Sequence, residues 1–489
     1  MKLTGKQTAF LIASLLCVVP LGYAQPENTP DSTATDVDSV STSENTPDAP
    51  REPVHILHIE HPVPLARIEQ GKTGSLSAQF AVAQSGSEDD GNGVYADLSP
   101  EQQAYLQRLE DIDNFDQIVE ELEIQGGAWS LQIAEELNSL GELLQAQGHY
   151  EKSIEIFDRA VHINRVNNGL FSPTQVPLIQ KIVRANMALG QWQQADEREQ
   201  YAFYVQTRAY RIDDPRMIDV FGRLARWNIA TFYRGVDADP GPRLYQTYML
   251  YRTAAQSVGA HFGTRDPRYV ALLRDTAAAA DMLDRFSLEG VNVGTRMNPD
   301  LRMVSEFAGG STHPQGRDNG GEQALKEIID FYNAPERLPS DDNLMNRARA
   351  MAELGDWYLI RDRRQAAMQT YKDAYDQLAA APNGEALLPQ VFGEIAFLPT
   401  YASFDEQRKE AYGVGPDTGA RMGYVDLAFD VSQYGRLSNF EVLAMEPADA
   451  ERADIQVISA VRSTLVRPKI VDGETTKSEV ERYRFSFWY

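Results

Sequence analysis

The sequence predicts an α + β protein, in which an α-solenoid of helical hairpins is followed by a small β-β-α-β domain. From about residue 101 to residue 385, apolar side chains recur with the spacing of amphipathic helices. From about residue 396 the pattern changes to alternating apolar and polar side chains, which is typical of half-buried strands. The 489 residues are enough for several such units with a sizeable core.

Residues 1–24 have the pattern of a secretory signal peptide. Lys2 and Lys6 precede an apolar run, and the run ends in Gly22-Tyr23-Ala24, with small residues where a signal peptidase cleaves. We predict cleavage after Ala24 and a location in the periplasm. The alternative is an uncleaved anchor, but the run is shorter than the roughly 20 residues that cross a membrane. No membrane anchor is therefore expected after cleavage.

The composition narrows the chemistry of the exported chain. Cys17, the sole cysteine, lies inside the predicted signal peptide, so the mature chain would have no disulfide and no cysteine-ligated metal. The formal net charge of −25 becomes −27 without Lys2 and Lys6. Such an acidic surface disfavours nucleic acid and anionic lipid headgroups. It serves either to keep the protein soluble or to attract a cationic partner.

Residues 25–100 are predicted to form a disordered acidic linker. Residues 25–53 contain almost no apolar side chains, so they cannot bury enough surface to offset their conformational entropy. A short strand is expected at Val54–Ile59, where apolar residues cluster. Residues 85–100 again have the composition of a loop.

One stretch of the helical region carries a specific pattern of small and large residues. The pattern comprises Leu140-Gly141, Leu144, Gly148, Tyr150, Ser153, Ile154, Phe157 and Ala160. Small residues let two antiparallel helices approach closely, aromatic side chains fill the space between them, and Gly148 ends the first helix. This spacing resembles the tetratricopeptide repeat (TPR), whose stacked hairpins form a curved surface that holds a peptide or a partner helix.

The pattern recurs along residues 101–385, the predicted TPR-like region. It returns at Leu189–Ala195, where Gly190 lies 42 residues after Gly148, with an extended loop between the hairpins at Asn167–Thr174. A third match comprises Leu354-Gly355, Tyr358, Ala367, Tyr371 and Ala374. Helices of weaker repeat character are predicted at 217–233, 242–258, 267–286 and 321–333. Residues 287–320 form a long insertion, and a generic helical bundle is the alternative to repeats.

Residues 396–489 are predicted to fold as a separate αβ unit. Strands are expected at Tyr424–Val431 and Leu437–Leu443, a helix at Asp454–Leu465 and a last strand at Glu479–Tyr489. In the first strand one face is apolar, and it consists of Val425, Leu427, Phe429 and Val431. The helix stops before Arg467-Pro468.

An ordered set of residues in this unit is similar to a known interaction module. The set comprises Gly423, Val425, Leu427, Phe429, Val431, Gly435, Ala460-Val461, Arg467-Pro468, Asp472-Gly473 and Tyr483-Arg484-Phe485-Ser486-Phe487. It resembles the C-terminal domain of TonB over about 70 residues. The resemblance implies a protein-binding domain that meets an extended segment of an outer-membrane receptor, partly by strand addition at a sheet edge. The chain lacks the retained anchor and long Pro/Lys-rich spacer of an energy transducer, which favours an adaptor.

Three residues of the last strand are the predicted partner-binding residues. Glu479–Tyr489 is expected to lie at an edge of the sheet, with Tyr483, Phe485 and Phe487 filling the core. The opposite face of the strand carries Arg482, Arg484 and Trp488. Tryptophan and arginine are enriched where interfaces concentrate binding energy, so these three are the candidate contacts.

No catalytic, cofactor-binding or metal site is predicted. His55, His58 and His61 would share a face on a helix and could bind zinc or copper there, but the neighbouring prolines favour an extended segment. Asp89–Gly93 lacks the ligand ladder of a calcium loop. Ser311 and His313 lack the strand-turn-helix context of a hydrolase nucleophile.

The expected function is that of a periplasmic scaffold or adaptor in the envelope of a Gram-negative bacterium, and not that of an enzyme. Its partners would be other envelope proteins, an outer-membrane receptor segment or peptidoglycan. The alternative is an accessory component of TonB-dependent outer-membrane transport. A third interpretation, an enzyme, would place its site in the insertion at 287–320.

Overall fold

The computed structural model describes residues 54–69, 120–121, 123–124, 127–288, 320–334, 340–401, 404–415, 418–448 and 452–489. The predicted signal peptide, residues 25–53, the loop at 85–100 and nearly all of the insertion lie outside these residues. Within the described part of the chain, no helix is both long and apolar enough to cross a membrane.

Helices fill most of the described chain. The N-terminal segment contains β1 (His58–Ile59), β2 (Val63–Pro64) and α1 (Leu65–Glu69). The helical array then comprises α2 (Leu131–Ala146), α3 (Tyr150–Asn168), α4 (Val176–Ala188), α5 (Trp192–Ala209), α6 (Met217–Arg234), α7 (Gly241–Phe262), α8 (Pro267–Leu288), α9 (Gly320–Asn333), α10 (Asp341–Ile360), α11 (Arg364–Ala379) and α12 (Gly384–Phe392). Each helix of the array packs against the next along the chain, as in a solenoid.

Four helices of the array end in the same turn. Gly148, Gly190 and Gly235 follow α2, α4 and α6 with φ angles of 79°, 72° and 70°, and Asp362 follows α10 with φ of 56°. The residue after each turn donates its N–H to a carbonyl five residues back, at 2.9 Å, 2.8 Å, 3.2 Å and 2.9 Å. These bonds satisfy carbonyl groups that the helix end leaves unpaired. The turn recurs every 42 and then 45 residues, which is the spacing of a hairpin repeat.

Two hairpins also share the same close contact between their helices. A Cβ atom added at Gly141 would lie 2.4 Å from the ring of Phe157, and one at Gly355 would lie 2.3 Å from the ring of Tyr371. Both rings are fully buried. Only glycine lets these helices approach so closely, so the prediction of TPR-like hairpins from these residues is confirmed.

The helices predicted for the middle of the array are present. The helices predicted at 217–233, 242–258, 267–286 and 321–333 correspond to α6, α7, α8 and α9 with boundaries shifted by at most four residues. The loop predicted at Asn167–Thr174 begins at Gly169, because Asn167 and Asn168 still belong to α3, and a short 3₁₀ helix (Pro173–Gln175) closes it.

The C-terminal part is a small αβ tail. It comprises β3 (Ala396–Phe397), α13 (Asp405–Tyr412), β4 (Met422–Val431), β5 (Leu437–Glu446), α14 (Ala453–Arg462), β6 (Val466–Arg467), β7 (Ile470–Val471), β8 (Glu474–Thr475) and β9 (Ser478–Trp488). The predicted β-β-α-β order of β4, β5, α14 and β9 is present. Val425, Leu427, Phe429 and Val431 are fully buried beneath the sheet with Tyr483, Phe485 and Phe487.

The sheet order corrects one prediction. The strands are arranged β1-β9-β4-β5, and β2 also pairs with β9. β9 is therefore not an edge strand, because β4 lies on one side of it and the N-terminal segment lies on the other. In the described part of the chain, the edges of the main sheet are β5 on one side and β1 with β2 on the other. The sequence also did not predict the small pairs β3–β6 and β7–β8.

The tail and the array share a hydrophobic core. Leu398, Tyr401, Ala411 and Ile470 of the tail belong to the same buried cluster as the helices of the array. α13 packs against α6. The two units are thus held together by buried side chains.

Candidate functional site

The chain after the array crosses back over its helices through a run of aromatic contacts. The ring of Phe404 stacks on that of Tyr251 in α7, with centroids 6.2 Å apart and planes 6° apart. Tyr401 is buried beside Trp357 of α10, with centroids 5.9 Å apart. Tyr412 of α13 lies 6.5 Å from Tyr233 of α6 in the same way. This part of the helical surface is therefore occupied by the protein itself.

A buried ion pair fixes the tail on the array. Asp356 of α10 is fully buried, and its two carboxylate oxygens accept hydrogen bonds from Arg467 Nε at 2.8 Å and Nη2 at 2.6 Å. Tyr371 Oη donates to the same carboxylate at 2.7 Å, and so does the Thr400 hydroxyl. Burial lowers the pKa of Arg467, but the ion pair with Asp356 more than offsets this and leaves the pKa above its usual value. Asp356 is thus the centre of a satisfied polar network.

Two carboxyl groups in the array, those of the buried Glu353 and the half-buried Asp275, have raised pKa values. Burial raises the pKa of Glu353 to about 7, although the neighbouring Arg274 acts in the opposite direction. Burial likewise raises the pKa of Asp275 to about 6, and Arg226 offsets only part of this. Both groups therefore change charge within the range of pH that proteins commonly encounter.

Asp275 should make the stability of the protein depend on pH. Its pKa is higher in the folded than in the unfolded state, so the folded state binds the proton more tightly and its stability falls as pH rises from 4 to 7. Asp275→Asn should reduce the loss of unfolding free energy between pH 4 and pH 7 by roughly 1–3 kcal/mol, since one pKa unit corresponds to about 1.4 kcal/mol. Urea unfolding at several pH values measures it. Asp330→Asn, at an exposed position, is the control, and parallel curves for wild type and Asp275→Asn would contradict the prediction.

The three predicted partner-binding residues differ in their accessibility. Arg484 is committed to Asp426, with two hydrogen bonds of 2.8 Å, and its guanidinium lies 3.7 Å over the ring of Tyr424. Trp488 is only 8% exposed, and its indole N–H donates to Glu60 at 2.7 Å. Arg482 is exposed. Partner binding by these residues stays a prediction, and only Arg482 has the free surface that a contact needs.

The N-terminal strand pairs with β9, which the sequence did not predict. Residues 54–64 lie along the outer side of β9, where His58 pairs with Trp488 and Val63 with Arg484. Burial would raise the pKa of Glu60, but its polar neighbours His58, Lys409 and Trp488 lower it to about 2, so it is a carboxylate at neutral pH. The predicted strand at Val54–Ile59 is confirmed at His58–Ile59, but no local signal identified β9 as its partner.

The histidines of this segment are not arranged as one ligand group. His58 is buried, whereas His55 and His61 are exposed. The described residues contain no group of three or more His, Cys, Asp or Glu side chains placed to hold a metal ion. Ser311, His313 and Asp89–Gly93 lie outside the described residues, so the interpretations of these segments stay predictions.

Comparisons with known proteins found similarity in solved structures alone. No family model matches the chain, and no curated protein matches it. A crystal structure of TPR-like repeats from a kinesin light chain of Podosopora anserina is 17% identical, covers 51% of this chain and 97% of that chain, and has a TM-score of 0.30. A second crystal structure of these repeats, with a single substitution, is 16% identical, with coverage of 50% and 94% and a TM-score of 0.29. The hairpins are defined by their turns and their glycine contacts.

An exposed apolar surface lies on the first hairpin and the loop that follows it. The side chains of Trp129 and Val166 are 52% and 56% exposed, and those of Leu170 and Phe171 are 56% and 38% exposed. Trp129 packs edge-on against His162 at 5.0 Å, and Phe171 against Tyr204 at 5.6 Å. Grouped apolar side chains left open to water often mark a protein-binding surface. We call these four residues the N-terminal patch.

Proposed function

We propose that the protein is a protein–protein interaction scaffold. The N-terminal patch carries this proposal, because it presents exposed aromatic and apolar side chains at one hairpin of a TPR-like array and in the loop that follows it. The tail adds a second surface whose position is fixed by the buried pair of Asp356 and Arg467. The protein works by binding other macromolecules and not by catalysis.

A periplasmic adaptor with a TonB-like docking domain is the finer form of this proposal. The signal-peptide pattern of residues 1–24 supports export, and the β-β-α-β order with Gly423 and Gly435 supports the domain. Its partners would be other envelope proteins, an outer-membrane receptor segment or peptidoglycan.

A role as an accessory component of TonB-dependent transport is the second candidate. One observation favours it: the outer side of β9 accepts an extended segment by backbone hydrogen bonding, which is a common mode of peptide recognition.

Crosslinking in living cells followed by capture of the full chain tests the scaffold. We expect specific partner proteins, whose recovery falls at least about tenfold when Trp129, Val166 and Phe171 are changed to serine, since aromatic anchors dominate interface energy. Val471→Ser is the control, because Val471 is also exposed but lies in the tail. Receptor proteins among the partners would favour the role in transport. Envelope-assembly or cell-wall proteins would favour the adaptor. Equal recovery by all variants would exclude the patch as the binding surface.

A further inference from the structure

The outer side of β9 is covered by a strand that comes from the opposite end of the chain. Leu57 donates its N–H to the Trp488 carbonyl and Glu60 donates to the Ser486 carbonyl, each at 2.8 Å. On its other side β9 pairs with β4 over nearly its full length. Residues 54–64 thus occupy the position that an added peptide strand would take.

Side chains of the tail hold this segment as they would hold an extended peptide. The amide of Gln456 in α14 donates to the Val54 carbonyl at 2.7 Å and accepts from the Ile56 N–H at 3.5 Å. Glu60 accepts the Trp488 indole N–H at 2.7 Å and pairs with Lys409 Nζ at 2.9 Å. The segment is therefore held by backbone pairing with β9, by the side-chain amide of Gln456 and by the contacts of the Glu60 carboxylate.

The sheet does not need this segment for its core. The fully buried side chains of the tail core lie between Ile395 and Phe487, while Val54, Ile56 and Ile59 only pack against it from the side. Within residues 54–64 only His58 is buried. The buried hydrophobic side chains that join β4, β5, α14 and β9 therefore all come from outside residues 54–64.

The attachment is also weaker than a continuous strand. Strand register is kept in two pieces of two residues, and of residues 60–62 between them Glu60 still donates its N–H to the Ser486 carbonyl. Pro62 and Pro64 have no N–H to donate. His58 Nε2 lies 3.8 Å from the Glu60 carboxylate, too far for a hydrogen bond, so the buried ring nitrogens make none among the described residues, which costs free energy. These features favour a segment that detaches.

We propose that residues 54–64 are a displaceable internal strand, which closes the β9 edge until an extended acidic segment of a partner replaces it. The partner segment would carry a carboxylate at the position of Glu60, where Lys409 and Trp488 receive it. This inference rests on the proposed function, because a closed edge matters only if the tail binds other proteins.

The test uses the full chain and a fluorescent peptide with the sequence of residues 54–64. Glu60→Lys places a second ammonium group beside Lys409 and removes the acceptor of Trp488, so it should release the internal strand. We expect this variant to bind the peptide at least about tenfold more tightly than wild type, because a tethered strand competes at an effective concentration of roughly millimolar. Anisotropy titration measures it.

Two controls make the result specific. Glu69→Lys, at an exposed position of the neighbouring α1, makes the same change in charge and should bind like wild type. A peptide with lysine in place of its glutamate should not bind Glu60→Lys. Equal peptide binding by wild type and Glu60→Lys, or no binding by a folded Glu60→Lys chain, would overturn the proposal.

Amide hydrogen exchange gives a second readout that needs no peptide. We expect the amides of Leu57 and Glu60 in wild type to exchange at least about tenfold faster than those of β4, since local opening requires less free energy than global unfolding. Equal protection of the Leu57, Glu60 and β4 amides would show that the segment is a permanent strand of the sheet. A dimer in which the strand comes from a second copy of the chain would also contradict the proposal. Suppose that hydrogen exchange and peptide binding contradict the proposal, while cells still yield partners whose capture depends on the N-terminal patch. Only the internal strand is then refuted, and the scaffold is not. Success here without any cellular partner would refute the scaffold instead.

Discussion

Asp356→Ala is expected to destabilise the protein by about 3–5 kcal/mol, because it leaves Arg467 buried without its counter-charge. Arg467 is only 6% exposed, so water cannot replace the lost carboxylate. The hydroxyl groups of Tyr371 and Thr400 lose their acceptor as well. Urea unfolding followed by circular dichroism measures the loss.

A double variant separates the ion pair from general damage to the core. Asp356→Ala with Arg467→Met removes both charges, and buried pairs replaced by apolar side chains often lose little stability. We therefore expect the double variant to be more stable than Asp356→Ala alone. Asp330→Ala, at an exposed position, should change stability by less than about 0.5 kcal/mol. If the double variant loses as much free energy of unfolding as Asp356→Ala and Arg467→Met lose together, the two residues act independently.

The same variant reports on how the array and the tail are joined. Asp356 lies on α10 and Arg467 on β6, 111 residues later in the chain. Loss of the pair should lower the hydrogen-exchange protection of β6 and β3 more than that of α2 and α3, since local stability follows local contacts. A uniform loss across the whole chain would mean that the two units unfold together.

Helices were predictable because their signals are local. The glycines at 141, 148, 190 and 355 each act within one hairpin, and their roles follow from neighbours fewer than 20 residues away. The boundaries of α6 to α9 follow from periodicity and from Gly/Pro signals for the same reason.

Strand neighbours and buried charges were not predictable, because their partners are remote in sequence. β9 was predicted at an edge, but its second neighbour comes from residues more than 400 positions earlier. Asp356 is one of 71 acidic residues, and nothing near it in the sequence distinguishes a buried carboxylate from an exposed one. The alternation of apolar and polar residues in β4 puts Asp426 on the face opposite Val425 and Leu427. The side chain of Arg484 on the adjacent strand nevertheless covers it.

Phe157→Ala should lower the free energy of unfolding of the N-terminal hairpin by about 3–5 kcal/mol, the usual loss for a fully buried aromatic ring. The ring lies directly against Gly141, where two helices approach too closely for any other side chain. Phe171→Ala, in the exposed loop, should cost about 1 kcal/mol or less.

The glycine on the opposite side of this contact supplies the complementary measurement. Gly141→Ala adds a methyl group where the ring of Phe157 lies, and the overpacking of about 1–3 kcal/mol should exceed the gain of about 1 kcal/mol in helix propensity. Gly222→Ala meets only the end of the Arg226 side chain, at 3.4 Å, and should be neutral or stabilising. In Phe157→Ala the added methyl at 141 has room, so the double variant should be no less stable than Phe157→Ala alone. If Gly141→Ala were as well tolerated as Gly222→Ala, close helix approach would not be what organises the repeat.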